Sequence, residues 1–167
     1  MGRSIGAIEG LPVLDLGRRV ADELGTSPDL ALVAVPEADY RRVEARVACQ
    51  VLDHAVAQGA VVALGSGCLG DPRIGRRLEE LRLVHDRSCQ IVALACATRV
   101  LATRNGLDAP RSVALGTVHH QFVQMLHERQ ARCRELADTI IDTSATTPEE
   151  AGEQVIRAVE AGFSHHS

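Results

Sequence analysis

Apolar residues along this 167-residue chain fall into two rhythms. Short continuous runs read as strands covered on both faces, and longer segments with an apolar residue every three or four positions read as helices with one buried face. Ser4–Glu9 is the first strand-like run, and Gly10-Leu11-Pro12 turns out of it. Val13–Leu16 reads as a short loop, and Gly17–Gly25 as the helix that follows. Leu30–Val35 (L-A-L-V-A-V) is a second strand, stopped by Pro36. Glu37–Gln58 sets Val43, Val47, Val51, Leu52 and Val56 at helical spacing. Ala60–Leu64 is a third strand and runs into Gly65-Ser66-Gly67-Cys68-Leu69-Gly70. Arg76–Leu83 and Ala97–Arg104 are short helices flanking a fourth strand, Gln90–Cys96. Asn105–Gly116 is turn-rich and reads as a mobile loop. Val118–Ala137 is a long helix and Thr139–Asp142 a fifth strand. Thr147 then caps the last helix, with Pro148 at its first position. Strands alternating with helices predict a three-layer α/β/α sandwich around a five-stranded parallel sheet. No linker or repeat divides the chain, so 1–167 reads as one domain.

Composition narrows this picture. Apolar residues make up 46% of the chain but aromatic ones only 2%, with no Trp, so the core is built from Ala, Val, Leu and Ile. A net charge of −4 argues against a nucleic-acid footprint. Lysine is absent, and arginine supplies every basic side chain other than histidine. The five cysteines form no C-x-x-C pair and read as reduced thiols of a cytoplasmic protein. Apolar runs are strand-sized, so neither a signal peptide nor a membrane span is expected.

Four stretches, in order, carry a family resemblance. They are Gly10-Leu11-Pro12 with Leu16–Gly25; Ala38-Asp39-Tyr40-Arg41-Arg42-Val43-Glu44; Val61–Pro72; and Glu128-Arg129 through Asp138, with Ile141-Asp142-Thr143. Together they resemble shikimate kinase over most of the chain. The resemblance implies the P-loop NTPase-like fold of that family, and it implies a pocket for a shikimate-type cyclohexene carboxylate. Arg41, Arg129 and the backbone of Gly65–Gly67 would hold the carboxylate and hydroxyls, with Ser66 in place of the family's middle glycine. Arg111 matches the lid arginine, in a lid-like loop of about 105–117.

The departures from the family are equally specific. Val13–Leu16 stands where a phosphate-binding loop is expected, and it has no Gly, Lys or hydroxyl. The second strand lacks the family's Asp-x-Asp. The substrate-binding region is shortened to about 36–45. These departures suggest a degenerate member without the phosphate loop and without ATP, so no cofactor and no metal are expected. Asp15 reads as a helix N-cap, with a base aimed into the emptied pocket as its rival role. Cys68 reads as a thiol packed under the glycine turn, with a nucleophile as the rival. His119 and His120 follow the loop and are the candidate acid and base. The leading expectation is therefore a carbon–oxygen lyase, a dehydratase acting on a shikimate-like acid. A non-catalytic pseudokinase that binds or regulates is the alternative, and an atypical shikimate kinase is the second. The expected partner is the small ring acid, with no nucleic acid and no membrane. A shortened substrate region exposes apolar surface and favours a homodimer.

Overall fold

The computed structural model describes residues 10–84, 89–104 and 116–164. Elements follow one another as β1 (Val13–Asp15), α1 (Leu16–Glu23), α2 (Ala31–Ala34), α3 (Glu37–Gln58) and β2 (Val61–Ala63). A 3₁₀ turn (Ser66–Gly70), α4 (Pro72–Val84), β3 (Val92–Ala95) and α5 (Thr98–Arg104) come next. The chain continues with α6 (Gly116–Leu136), β4 (Thr139–Asp142) and α7 (Pro148–Ser164). The α/β class follows the sequence pattern. Among the described residues the strands form two parallel pairs, β1 with β2 and β3 with β4, instead of five strands in one sheet. Register pairs Val13 with Val61 and Asp15 with Ala63, and Val92 with Thr139 and Ala95 with Asp142.

Two expectations change, and others fall outside the described residues. The proposed strand Ser4–Glu9 lies outside the described residues, as do Asn105–Leu115 of the turn-rich segment and Arg111 within it. Val13–Leu16 is not a loop. Leu14 is 6% exposed and Val13–Asp15 hydrogen-bonds along β2, so these residues gain more as a strand than as an open connection. Leu30–Val35 is not a strand. Among the described residues no strand pairs with it, and its amides turn inward: Val33 and Ala34 both donate to the Leu30 carbonyl at 2.9 Å. The resulting short α2 leaves Leu32 and Val33 exposed.

Helix faces explain the core. On α1, Leu16, Val20 and Ala21 are buried. On α3 the buried stripe runs Tyr40, Glu44, Val47, Ala48, Val51 and Leu52, a helical period carrying one carboxylate. Val56 falls off that stripe and is exposed. Gly59 ends α3 at φ 72°, a left-handed geometry that suits glycine. Ile74, Leu78 and Leu81 of α4 and Leu136 of α6 complete the main cluster. Each fully buried Leu or Ile contributes roughly 1.5–3 kcal/mol. Among the described residues no helix is long and apolar enough to cross a membrane.

Candidate substrate site

The site forms where the chain leaves β2. Gly65 is extended, and the next five residues wind into the 3₁₀ turn, with the Cys68 amide donating to the Gly65 carbonyl at 3.1 Å. This turn packs against α3 on one side and α6 on the other. Arg41, from the first turns of α3, and Arg129, from the middle of α6, therefore meet over Gly67. A Cβ on Gly67 would lie 3.1 Å from Arg41 Nη1 and 3.5 Å from Arg129 Nη2. Both guanidinium groups thus lie close to the glycine backbone, and a larger residue would push them away.

Arg41 is held from its own helix. Its Nη1 donates to Glu44 Oε2 at 2.7 Å, and its Nε lies 3.6 Å from Glu37 Oε1. Burial works to lower the Arg41 pKa, but the bond and charge of Glu44, with Glu37 behind it, more than offset that, so the group is raised. Glu44 is itself 7% exposed, one of few buried charged residues. Arg129 is half-buried and has no hydrogen bond or ion pair among the described residues, so it is free to take an anion. A pair of guanidinium groups, one anchored and one unpaired, suits a carboxylate.

Other candidate residues sort by position. Gly65 and Ser66 sit at the mouth of the turn and are exposed. Cys68 lies beneath it, 2% exposed, its thiol pushed up to about 12 by burial first and then by the Glu44 charge. That favours the packed-thiol reading over the nucleophile. Asp15 caps α1, accepting from the Arg18 amide at 3.1 Å. His119 lies in the first turn of α6. His120 is exposed on the same helix, nine residues before Arg129, which places it roughly 13 Å along the axis and about half a turn round. Among the described residues no group of His, Cys, Asp and Glu is placed to hold a metal ion.

Two residues escaped the sequence reading. Glu44 was legible as a carboxylate three positions after Arg41, on the stripe that Tyr40, Val47 and Val51 bury. Gln130 was not: its Nε2 donates to the Cys96 carbonyl at 2.7 Å and ties the Arg129 turn of α6 to the end of β3. That contact links residues distant in sequence and leaves no local pattern.

Comparison with known proteins extends this geometry. A shikimate kinase of Thermobifida fusca (strain YX) is 27% identical over 161 residues, covering 96% of this chain and 87% of the relative. One of Streptococcus suis (strain 05ZYH33) is 24% identical over 146 residues, covering 87% and 86%. The fold is similar to shikimate kinase from Bacteroides thetaiotaomicron, with a TM-score of 0.67 at 16% identity, covering 95% of this chain and 89% of that one. It is also similar to the Acinetobacter baumannii shikimate kinase in complex with shikimate, with a TM-score of 0.64 at 16% identity over 96% and 84%. These relatives are named as kinases, which are transferases, and this overturns the carbon–oxygen lyase and dehydratase expected above. The acid–base roles of His119 and His120 belonged to that dehydration and go with it. Describing the chain by a lost phosphate loop is corrected too. The residues read as that shortened loop are β1 and the cap of α1, and the kinase match runs nearly end to end. With the shikimate kinase family model matching residues 1–160, the chain belongs to the shikimate kinase family.

Proposed function

We propose that this protein binds a shikimate-type ring carboxylate between Arg41 and Arg129, against the Gly65–Gly67 turn, with phosphoryl transfer as its reaction class. The observation that carries the binding site is the meeting of both guanidinium groups at Gly67, one anchored by Glu44 and the other without a hydrogen bond or ion pair among the described residues. A fork of donors on each side of one carboxylate fixes its plane as well as its charge. Exposed Ser66 adds a hydroxyl beside it. Support for the reaction class comes from the kinase names of the curated relatives, and the fold neighbour from Acinetobacter baumannii is described in complex with shikimate.

A second reading, binding without phosphoryl transfer, draws on the start of α1. There the Asp15 carboxylate takes the Arg18 amide, an N–H that a nucleotide phosphate could otherwise use, and Leu16 follows with neither charge nor hydroxyl.

One experiment addresses both. Calorimetric titration with shikimate is expected to give saturable binding, weakened at least about tenfold by Arg41→Gln or Arg129→Gln. Phosphorus NMR of shikimate with ATP and Mg²⁺ then separates the readings. A new phosphate monoester supports the kinase. Binding with no new ester supports the second reading. Failure to bind shikimate or any related ring acid overturns both.

A further inference from the structure

Arg129, together with Ser66 of the glycine turn, also lines a cavity of about 230 Å³ between α6 and the strands β3 and β4. Its walls are Leu126 and Cys133 of α6 and Ala93, Ala95 and Ile140 of the strands. The chain carries only three aromatic residues, so large side chains that could fill such a space are scarce.

Three polar groups on this lining are already engaged with the protein. Thr143 Oγ1 donates to the Ala95 carbonyl at 2.9 Å. The amide of Gln130 donates to the Cys96 carbonyl at 2.7 Å. Arg104 Nη2 donates to the Thr143 carbonyl at 3.1 Å. Ser66 and Arg134 are exposed, at the rim. A ring hydroxyl pushed into this space would lose water and find few free partners. An apolar group would meet matching walls.

We propose that the acid this protein takes is a shikimate-type carboxylate carrying a compact apolar substituent on one ring hydroxyl. Its carboxylate sits at Arg41 and Arg129, and its substituent fills the cavity. This rests on the arginine-pair reading above and adds the substrate class to it.

The test is calorimetric titration of the full chain with shikimate and with its three mono-O-benzoyl esters. One ester is expected to bind about tenfold tighter than shikimate, or better. Two variants narrow the cavity: Ile140→Phe, at a side chain 47% exposed and so able to accept bulk, and Ala93→Leu. In a folded variant, checked by circular dichroism, the ratio of ester to shikimate affinity is expected to fall to unity. If shikimate binds and no ester binds tighter, this proposal is overturned and the arginine-pair reading stands. It is also overturned if the ester's advantage survives in both variants. If neither shikimate nor any ester binds, both fall.

Discussion

Replacing Glu44 tests the anchoring of the site from within. Its carboxylate is 9% exposed and bonds Arg41, whose side chain is 34% exposed, at 2.7 Å. Removing one partner of a fully buried ion pair costs about 3–5 kcal/mol, because the other charge is left unmet. Arg41 is a third exposed and keeps Glu37 at 3.6 Å, so water and that carboxylate recover much of this loss. Glu44→Gln keeps the shape and an acceptor oxygen and loses only the charge. We expect it to lower unfolding free energy by about 1–2 kcal/mol. Glu44→Ala also empties space beneath the turn and is expected to cost about 1 kcal/mol more. Ring-acid affinity should drop roughly tenfold in both, because a guanidinium without its anchor must be ordered by the ligand. Urea denaturation and calorimetric titration of both variants read the two effects. Unchanged stability together with unchanged affinity in Glu44→Gln refutes the argument. Tighter binding refutes it differently, since Glu44 would then compete with the ligand for Arg41.

Further predictions follow from single contacts. Gly67→Ala is expected to weaken ring-acid binding at least about fivefold while shifting stability by less than about 1 kcal/mol, because the added carbon meets Arg41 at 3.1 Å and that flexible side chain can retreat; titration and thermal melts check both. Thr147→Ala removes a reciprocal cap, in which the Glu150 amide donates to Thr147 Oγ1 at 3.2 Å and the Thr147 amide to Glu150 Oε2 at 2.8 Å; a loss of about 1 kcal/mol in urea denaturation is expected. Cys68, with its thiol pushed up to about 12, should resist iodoacetamide at pH 8 until the protein is unfolded, as peptide mass spectrometry would show; native labelling would contradict its burial. Asp71 is held below the ordinary carboxylate range, chiefly by its bond to Arg73. A depressed carboxylate adds stability that is present above its unfolded pKa near 4 and is lost as pH falls through the lower folded value. Stability should therefore fall on acidification below about pH 5, and Asp71→Asn should flatten that fall in melts taken from pH 6 to pH 3.

Long periodic segments were legible without a structure. The burial of α3 follows directly from a 3.6-residue period, β4 falls where Thr139–Asp142 was read, and Thr147 with Glu150 forms the cap its sequence announces. Short segments were not. Val13–Asp15 is too brief to display a period, and it became a strand because Val61–Ala63 offered an edge. Leu30–Val35 has the composition of a strand, yet among the described residues no edge receives it, and one helical turn satisfies its amides locally. Propensity there was overruled by the availability of a partner. Arg41 and Arg129 are candidates through family likeness alone, since nothing local in the sequence marks them among eighteen arginines.

What the sequence determined by itself is therefore the set of parts: an α/β chain, an aliphatic core poor in aromatic rings, a glycine turn after β2 and the residues of a family. Tertiary structure decided how those parts meet. It brought Arg41 and Arg129 together over Gly67 and set Glu44 behind one of them. It also left the space under α6 open. The physical reason is range. Helical period, capping and turn chemistry act between residues a few positions apart, whereas a shared anion site depends on which helices pack on the same turn.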